Sequence, residues 1–453
     1  MSAHTDPATS SSAPALARTM GLGALIIYGV GDMLGAGVYA LIGKAAGTMG
    51  NAVWLAFLAS VIAALLTGLS YASLGSRHPR AGGVAYISQR AFGLPFLSYL
   101  LGLAVVASGL TSLAAGARAF AGYFLGVLNV DATGTWAPVV VIIGYIGVLT
   151  LINFWGMRES TWLNVLCTVI EAGGLLIIIA VGLRYWGGVN YLETPVAVSG
   201  TGGITFPLVL SGAVLTFYSF VGFEDMLNVT EEVKDPQRNF PIAVMAALGI
   251  TTLIYIAIAI TAVSVVPHAE LARSGQPLVE VVKRAAPDFP SGIFSFISLF
   301  AITNTGLLNY IMGSRLLYGL ARQGLVPRAL GNVHPTRRTP HVAILTLLLI
   351  VLLLALSGNV GQLASATSVL LLGVFIVVNA SLLALQRRQD EPRGRFEVHP
   401  IIPAAGILVC GVILFHAQPA ALLTALALLA GIAVLYFLMR SGKVVSSDEP
   451  RAS

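Results

Sequence analysis

The chain alternates long apolar runs with short polar connections. Twelve runs are long enough, or nearly so, to cross a hydrocarbon core of ~30 Å as helices. They cover residues 21–45, 51–75, 95–124, 136–156, 162–186, 205–229, 240–266, 291–321, 341–357, 362–386, 401–417 and 419–439. The pattern predicts an all-α polytopic membrane protein. Two of the runs are not uniform. The first carries Gly29, Gly31, Gly35 and Gly37 around Asp32. The sixth carries Gly222 and the adjacent carboxylates Glu224 and Asp225 after an aromatic stretch, Phe217-Tyr218-Ser219-Phe220. Glycine weakens a helix, and an Asp at the centre of a bilayer helix costs about 2.5–3.5 kcal/mol on insertion scales. A helix that only anchors gains nothing from either.

The second interruption falls five runs after the first. Interrupted helices in corresponding positions of two halves are the sequence pointer to a transporter binding site near the midplane. The competing reading is that Gly35 and Gly37 are small-residue packing surfaces and that Glu224 ends a helix. At a half-helix N-terminus the unpaired N–H groups and the dipole favour an anion. The amides of Gly35, Ala36 and Gly37 are therefore assigned to a substrate carboxylate.

Composition agrees with the pattern. The chain has 453 residues, 57% of them hydrophobic and 10% charged, and its mean hydropathy is +0.87. Soluble domains carry about 25% charged residues. The net charge of +6 is scattered over short loops and does not point to nucleic acid. With the N-terminus inside, 19 of the 25 Lys and Arg residues fall on the cytoplasmic side, which predicts both termini cytoplasmic in the plasma membrane. Residues 1–17 read as a disordered cytoplasmic tail without a signal peptide, and 441–453 as a cytoplasmic C-terminal tail. Cys167 and Cys410 lie inside apolar runs and imply no disulfide. The sequence has no phosphate loop, no metal-spaced His/Cys cluster and no nucleophile elbow. No enzyme, cofactor or metal is expected, and the oligomeric state is not legible.

Four motifs, in order, carry a resemblance. They are Gly31-Asp32-Met33-Leu34-Gly35-Ala36-Gly37-Val38-Tyr39, then Pro79-Arg80-Ala81-Gly82-Gly83, then Phe220-Val221-Gly222-Phe223-Glu224 through Asp235-Pro236-Gln237-Arg238-Asn239-Phe240-Pro241, and Gly313-Ser314-Arg315 through Gly324-Leu325-Val326-Pro327. The chain resembles the amino acid–polyamine–organocation (APC) superfamily of permeases, and within it the bacterial permeases similar to cationic amino acid transporters. The resemblance implies a leucine-transporter-type fold. Its two inverted repeats of five helices would cover 18–200 and 201–390, with helices 1 and 6 broken, and two peripheral helices would occupy 391–440.

The resemblance also places carbonyls for a substrate ammonium at Met33 and at Tyr218, Ser219 and Val221. Tyr218 stands where relatives have an aromatic gate; the alternative is an ordinary packed tyrosine. Some proton-coupled relatives have a lysine near Glu171, a role as fixed cation that glutamate cannot fill, although a buried carboxylate can carry a proton. Asp32 is unlike the family pattern. It either attracts a cationic substrate, takes up a proton or holds an ion, or else it is paired structurally. Glu224 is either a gate or pH sensor, or a helix-end partner of Lys234 or Arg238. Thr303 and Thr305 flank Asn304 where sodium-coupled relatives have two neighbouring hydroxyls; interhelical hydrogen bonding is the competing account. Ser108, Thr111 and Ser112 are further cavity candidates.

The expected activity is secondary active transport of an amino acid or amine by alternating access. Proton symport is the first expectation, with amino acid or amine exchange, polyamine transport or sodium coupling as alternatives. A non-transporting sensor or channel is the rival of a different class.

Overall fold

A computed structural model describes residues 20–78, 83–130, 135–155, 161–195, 203–322, 325–337 and 339–443. The predicted tail at 1–17, the end of the C-terminal tail at 444–453, and the motif residues 79–82 and 323–324 lie outside them. The described residues form helices and no strand; one parallel bridge joins Met20 to Val233.

The first apolar run becomes two helices, α1 (Leu22–Leu34) and α2 (Ala36–Met49), which meet at Gly35. After a short turn, α3 (Val53–Arg77) follows, and then an amphipathic helix, α4 (Gly83–Phe92). The long α5 (Pro95–Val127) starts at a proline whose missing N–H is no loss at a helix N-terminus. It leads to α6 (Ala137–Trp155) and α7 (Thr161–Gly182).

The sixth run is helical only in its first half, α8 (Phe206–Phe217), whose N-terminus is capped by the Thr205 side chain. It continues through two 3-10 segments, Tyr218–Phe220 and Phe223–Glu232, with Val221 and Gly222 between them. Next comes α9 (Pro236–Val265). Two short helices, α10 (His268–Arg273) and α11 (Pro277–Ala285), follow in a connection for which the apolar pattern predicted no element. The chain ends with α12 (Ser291–Arg322), α13 (His341–Ser357), α14 (Val360–Gln386), α15 (Ile401–Phe415) and α16 (Pro419–Lys443).

Eight helical stretches among the described residues are long and apolar enough to cross a membrane. Leu22–Leu34, Phe206–Phe220, His341–Ser357 and Ile401–Phe415 are shorter apolar helices. The outward faces are apolar: Leu253 and Leu353 are 72% exposed and Phe415 85%. Water would penalise such faces; lipid tails, as apolar as the side chains themselves, do not. This is a multi-pass membrane protein.

The interior is organised around α1, α3, α5, α9, α12 and α14. Helix α3 packs on α9, and α5 packs on both α12 and α14. Polar groups inside are paired between helices, as membrane packing favours. Asn379 of α14 donates to Thr67 at 3.0 Å and receives Ser70 at 2.6 Å, both on α3. Thr111 of α5 meets Thr367 of α14 at 2.7 Å. These contacts hold the helices that surround the two interrupted segments.

Candidate functional site

The chain leaves α1 at Gly35 (φ −59°, ψ −131°) and re-enters a helix at Ala36, with no side chain capping the new N-terminus. The first four N–H groups of a helix have no intrahelical acceptor, so α2 begins with donors available to a ligand. Only glycine fits at the junction. A Cβ on Gly35 would fall on the Thr305 hydroxyl of α12. On the sixth segment Gly222 has φ +126°, a left-handed conformation that other residues avoid. A Cβ there would lie 2.9 Å from the Asp32 carbonyl. The two interruptions therefore touch, backbone against backbone.

Between them lies a small chamber of about 20 Å³, lined by Asp32, Met33, Gly37, Tyr218, Val221 and Gly222 together with Ser112, Asp225, Thr305 and Asn309. That is room for about one water. A second cavity of about 400 Å³ adjoins it and shares Asp225 and Asn309 as walls. Its long sides are two helical stripes at i, i+3, i+4, i+7 spacing: Gly102, Val105, Val106 and Gly109 on α5, and Asn309, Met312, Gly313 and Leu316 on α12. Val84 and Ala85 of α4 and Arg315 of α12 also line it.

Several of the predicted residues are thus brought together, with added neighbours. The Tyr218 hydroxyl lies 2.9 Å from the Ser112 hydroxyl, and Asn309 donates to the same oxygen at 3.4 Å. A relay therefore joins the sixth segment to α5 and α12. Of the other serine and threonine candidates on α5, Thr111 faces α14 and Ser108 donates to the Val105 carbonyl at 2.7 Å.

Three of the four carbonyls expected to receive an ammonium, those of Met33, Tyr218 and Ser219, already have donors. Tyr255 of α9 donates to the Ser219 carbonyl at 2.7 Å, and its hydroxyl also meets the Met33 carbonyl. The Tyr218 carbonyl accepts from Val221 N–H at 3.2 Å. Tyr255 was not singled out in the sequence, because one tyrosine in an apolar run reads as packing. The Ser219 hydroxyl is buried without a hydrogen-bond partner and lies against Gly37.

The carboxylates divide. Asp32 lines the chamber. Glu224 is buried and accepts from Gly222 N–H at 2.9 Å, so it braces the second interruption. Among the described residues it makes no ion pair with Lys234 or Arg238; Arg315 lines the same larger cavity. Glu171 of α7 is fully buried outside the chamber. It accepts from Asn304 of α12 at 3.2 Å through Oε1, and Oε2 has no hydrogen-bond partner. One turn earlier Thr168 fills the space that a Cβ on Gly31 would need, so α7 seats directly on α1.

Thr303 and Thr305 are two residues apart on a helix and face different neighbours. Thr305 reaches Gly35 and the chamber, whereas Thr303 donates back to the Leu299 carbonyl at 2.6 Å. The structure does not bring the two hydroxyls to one point.

A family model described as amino acid permease matches residues 21–446, nearly the whole chain and both interruptions. The chain belongs to the amino acid permease family. It is 28% identical over 425 residues to a methylthioribose transporter of Bacillus subtilis (strain 168), covering 89% of each chain. It is 26% identical over 422 residues to the branched-chain amino acid permease BcaP of the same organism, again covering 89% of each. It is 31% identical to cationic amino acid transporter 9, chloroplastic, of Arabidopsis thaliana, over 72% of this chain and 59% of that one. The family and these relatives are transporters, not enzymes, which agrees with the APC resemblance.

Proposed function

We propose that the chain is a secondary active amino acid transporter of the plasma membrane that works by alternating access. Twelve spans would form two inverted five-helix repeats, 18–200 and 201–390, followed by two peripheral helices at 391–440. Both termini would lie in the cytoplasm. The observation that carries this reading is the chamber between two interrupted segments in contact with each other, which shares Asp225 and Asn309 with a cavity large enough for a small molecule.

In this reading the substrate carboxylate meets the amides of Gly35, Ala36 and Gly37. The ammonium displaces or shares Tyr255 at the Met33 and Ser219 carbonyls, with Tyr218 and Val221 beside it. The substrate side chain lies between the two facing stripes. Those stripes are mostly apolar, and Glu224 is engaged by Gly222, so a neutral aliphatic side chain suits the cavity better than a cationic one.

The charge bias places α4 and Arg315 on the cytoplasmic side, so the larger cavity is the inward pathway. On the opposite side Tyr123 donates to the Tyr39 carbonyl at 3.0 Å and Tyr39 packs on Phe294, closing the outward route. The coupling ion is a proton, carried by Glu171, the buried carboxylate that links α7 to α12 beside the interrupted helix. Asp32 and Glu224 tune the site from its walls, and of the two threonines it is Thr305 that lines the chamber.

Uptake into proteoliposomes tests this. Accumulation of a labelled aliphatic amino acid under an imposed pH gradient is the expected result. Uptake only against internal amino acid would establish exchange instead. Binding without flux would leave a sensor and end the transporter reading.

A further inference from the structure

The connection between α14 and α15, residues 387–399, is tied to three other parts of the chain. Arg388 donates to the carbonyls of Arg90 and Ala91, at 2.8 and 2.7 Å, and so holds the C-terminus of α4. Glu397 pairs with Arg77, the last residue of α3, at 2.6 Å, and accepts from Gly394 N–H at 2.7 Å. Phe396 N–H donates to the Ser76 hydroxyl at 3.1 Å, and that hydroxyl donates to the Gln237 carbonyl at the start of α9 at 3.1 Å. Gln386 closes the base of the loop on the Val398 carbonyl at 2.7 Å. At its centre Glu391, with a side chain only 4% exposed, sits between Arg90 of α4 at 2.9 Å and His78 beyond α3 at 3.3 Å. The His78 side chain is 7% exposed, with its ring edge-on to Tyr86 of α4. Helix α4 is in turn a wall of the larger cavity.

We propose that residues 387–399 form a pH-sensitive clasp that fixes α4 at the mouth of the inward cavity, with His78 as its titrating member and Glu391 as its keystone. The proposal depends on the transporter reading only in naming the passage that the clasp controls.

The charged and titratable groups facing His78 are Arg77 from its own segment, Arg90 and Tyr86 from α4, and Glu391 from the clasp. Burial, and then Arg90, hold its imidazole below the ordinary value; Glu391 opposes them, and Arg77 adds to the depression. A released, solvated His78 would titrate near its ordinary value of about 6.5. The released form therefore binds a proton more readily than the clasped one. Linkage then makes the clasp firm at neutral pH and looser as pH falls through the histidine range.

Amide hydrogen exchange on the full chain in lipid nanodiscs tests this, corrected for intrinsic exchange at each pH. Between about pH 7.5 and about pH 5.5, α4 and residues 387–399 of the wild type should lose protection, by up to roughly tenfold for a single histidine of ordinary pKa about 6.5 when released. His78→Gln should keep high protection at both values. Glu391→Gln should show low protection at both. A wild type with constant protection overturns the proposal, as does a His78→Gln protein that follows the wild-type profile. If Glu391→Gln does not fold, the other two proteins decide. Since the readout is protection, a wild type that transports no amino acid would count against the transporter reading and leave the clasp to be judged by exchange.

Discussion

The hydroxyl of Tyr255 donates to the Ser219 carbonyl at 2.7 Å while resting against the Met33 carbonyl, so one side chain of α9 ties together the two interrupted segments. A phenol has one proton and serves one carbonyl at a time, whereas an ammonium brings three donors. Tyr255 therefore keeps both oxygens in position when no substrate is bound and leaves them short of donors that a substrate supplies.

Replacing Tyr255 with Phe keeps the ring in its contacts with Phe57 and Phe220 and removes the hydroxyl. A hydrogen bond of this kind contributes about 0.5–1.5 kcal/mol, or roughly two- to tenfold in affinity. KM for uptake should rise by about that factor, with the thermal unfolding midpoint changed little. A KM within twofold of the wild type would remove Tyr255 from the site.

Gly35 gives a steric prediction. Gly35→Ala drives a methyl group into the Thr305 hydroxyl and should abolish most uptake. Overpacking of this kind costs roughly 1–3 kcal/mol. Adding Thr305→Ala removes the hydroxyl and should recover part of the activity. No recovery would mean that the backbone at Gly35, and not its clearance from α12, is what transport requires. Gly37 is a poorer target: its missing Cβ would lie 2.7 Å from the Ser219 Cα, so a bulky replacement displaces backbone and endangers folding as well as binding.

These relationships show why part of the site was legible in the sequence and part was not. Gly35 and Gly222 stood out because glycine and carboxylate inside an apolar run break a strong expectation; Gly35 separates α1 from α2, and Gly222 separates two 3-10 segments. The long runs that became α3, α5 and α14 were legible for the same reason. Tyr255 and Asn309 were not, since each is a single polar residue on a helix whose inward face no period fixes. Helices α10 and α11 were missed because they are short, lie between spans and draw their order from packing on α2 and α7. Glu171 was visible as an anomaly, but its partner Asn304 became identifiable only once α7 and α12 were placed side by side.

Asn309 lines both the chamber and the larger cavity, and a Cβ on Gly109 would come within 3.2 Å of its amide oxygen. Asn309→Ala should enlarge the space there and cut the link to Ser112. Competition assays should then show large branched amino acids gaining over alanine by about tenfold or more, in the range a pocket discriminates per methylene. An unchanged ranking would place the substrate side chain elsewhere.

Glu171→Gln separates coupling from binding. Glutamine keeps a carbonyl to accept from Asn304, so the contact between α7 and α12 survives, while the group can no longer take up or release a proton. If Glu171 carries the coupling proton, the variant should lose accumulation driven by a pH gradient yet still exchange labelled for unlabelled amino acid across the membrane. Both assays use the same proteoliposomes, so retained exchange shows that binding and the conformational cycle are intact. Gradient-driven accumulation at the wild-type level would sink the proton role of Glu171. Loss of exchange together with accumulation would instead make Glu171 a structural tie between α7 and α12, a role that Glu171→Leu would then impair at least as severely.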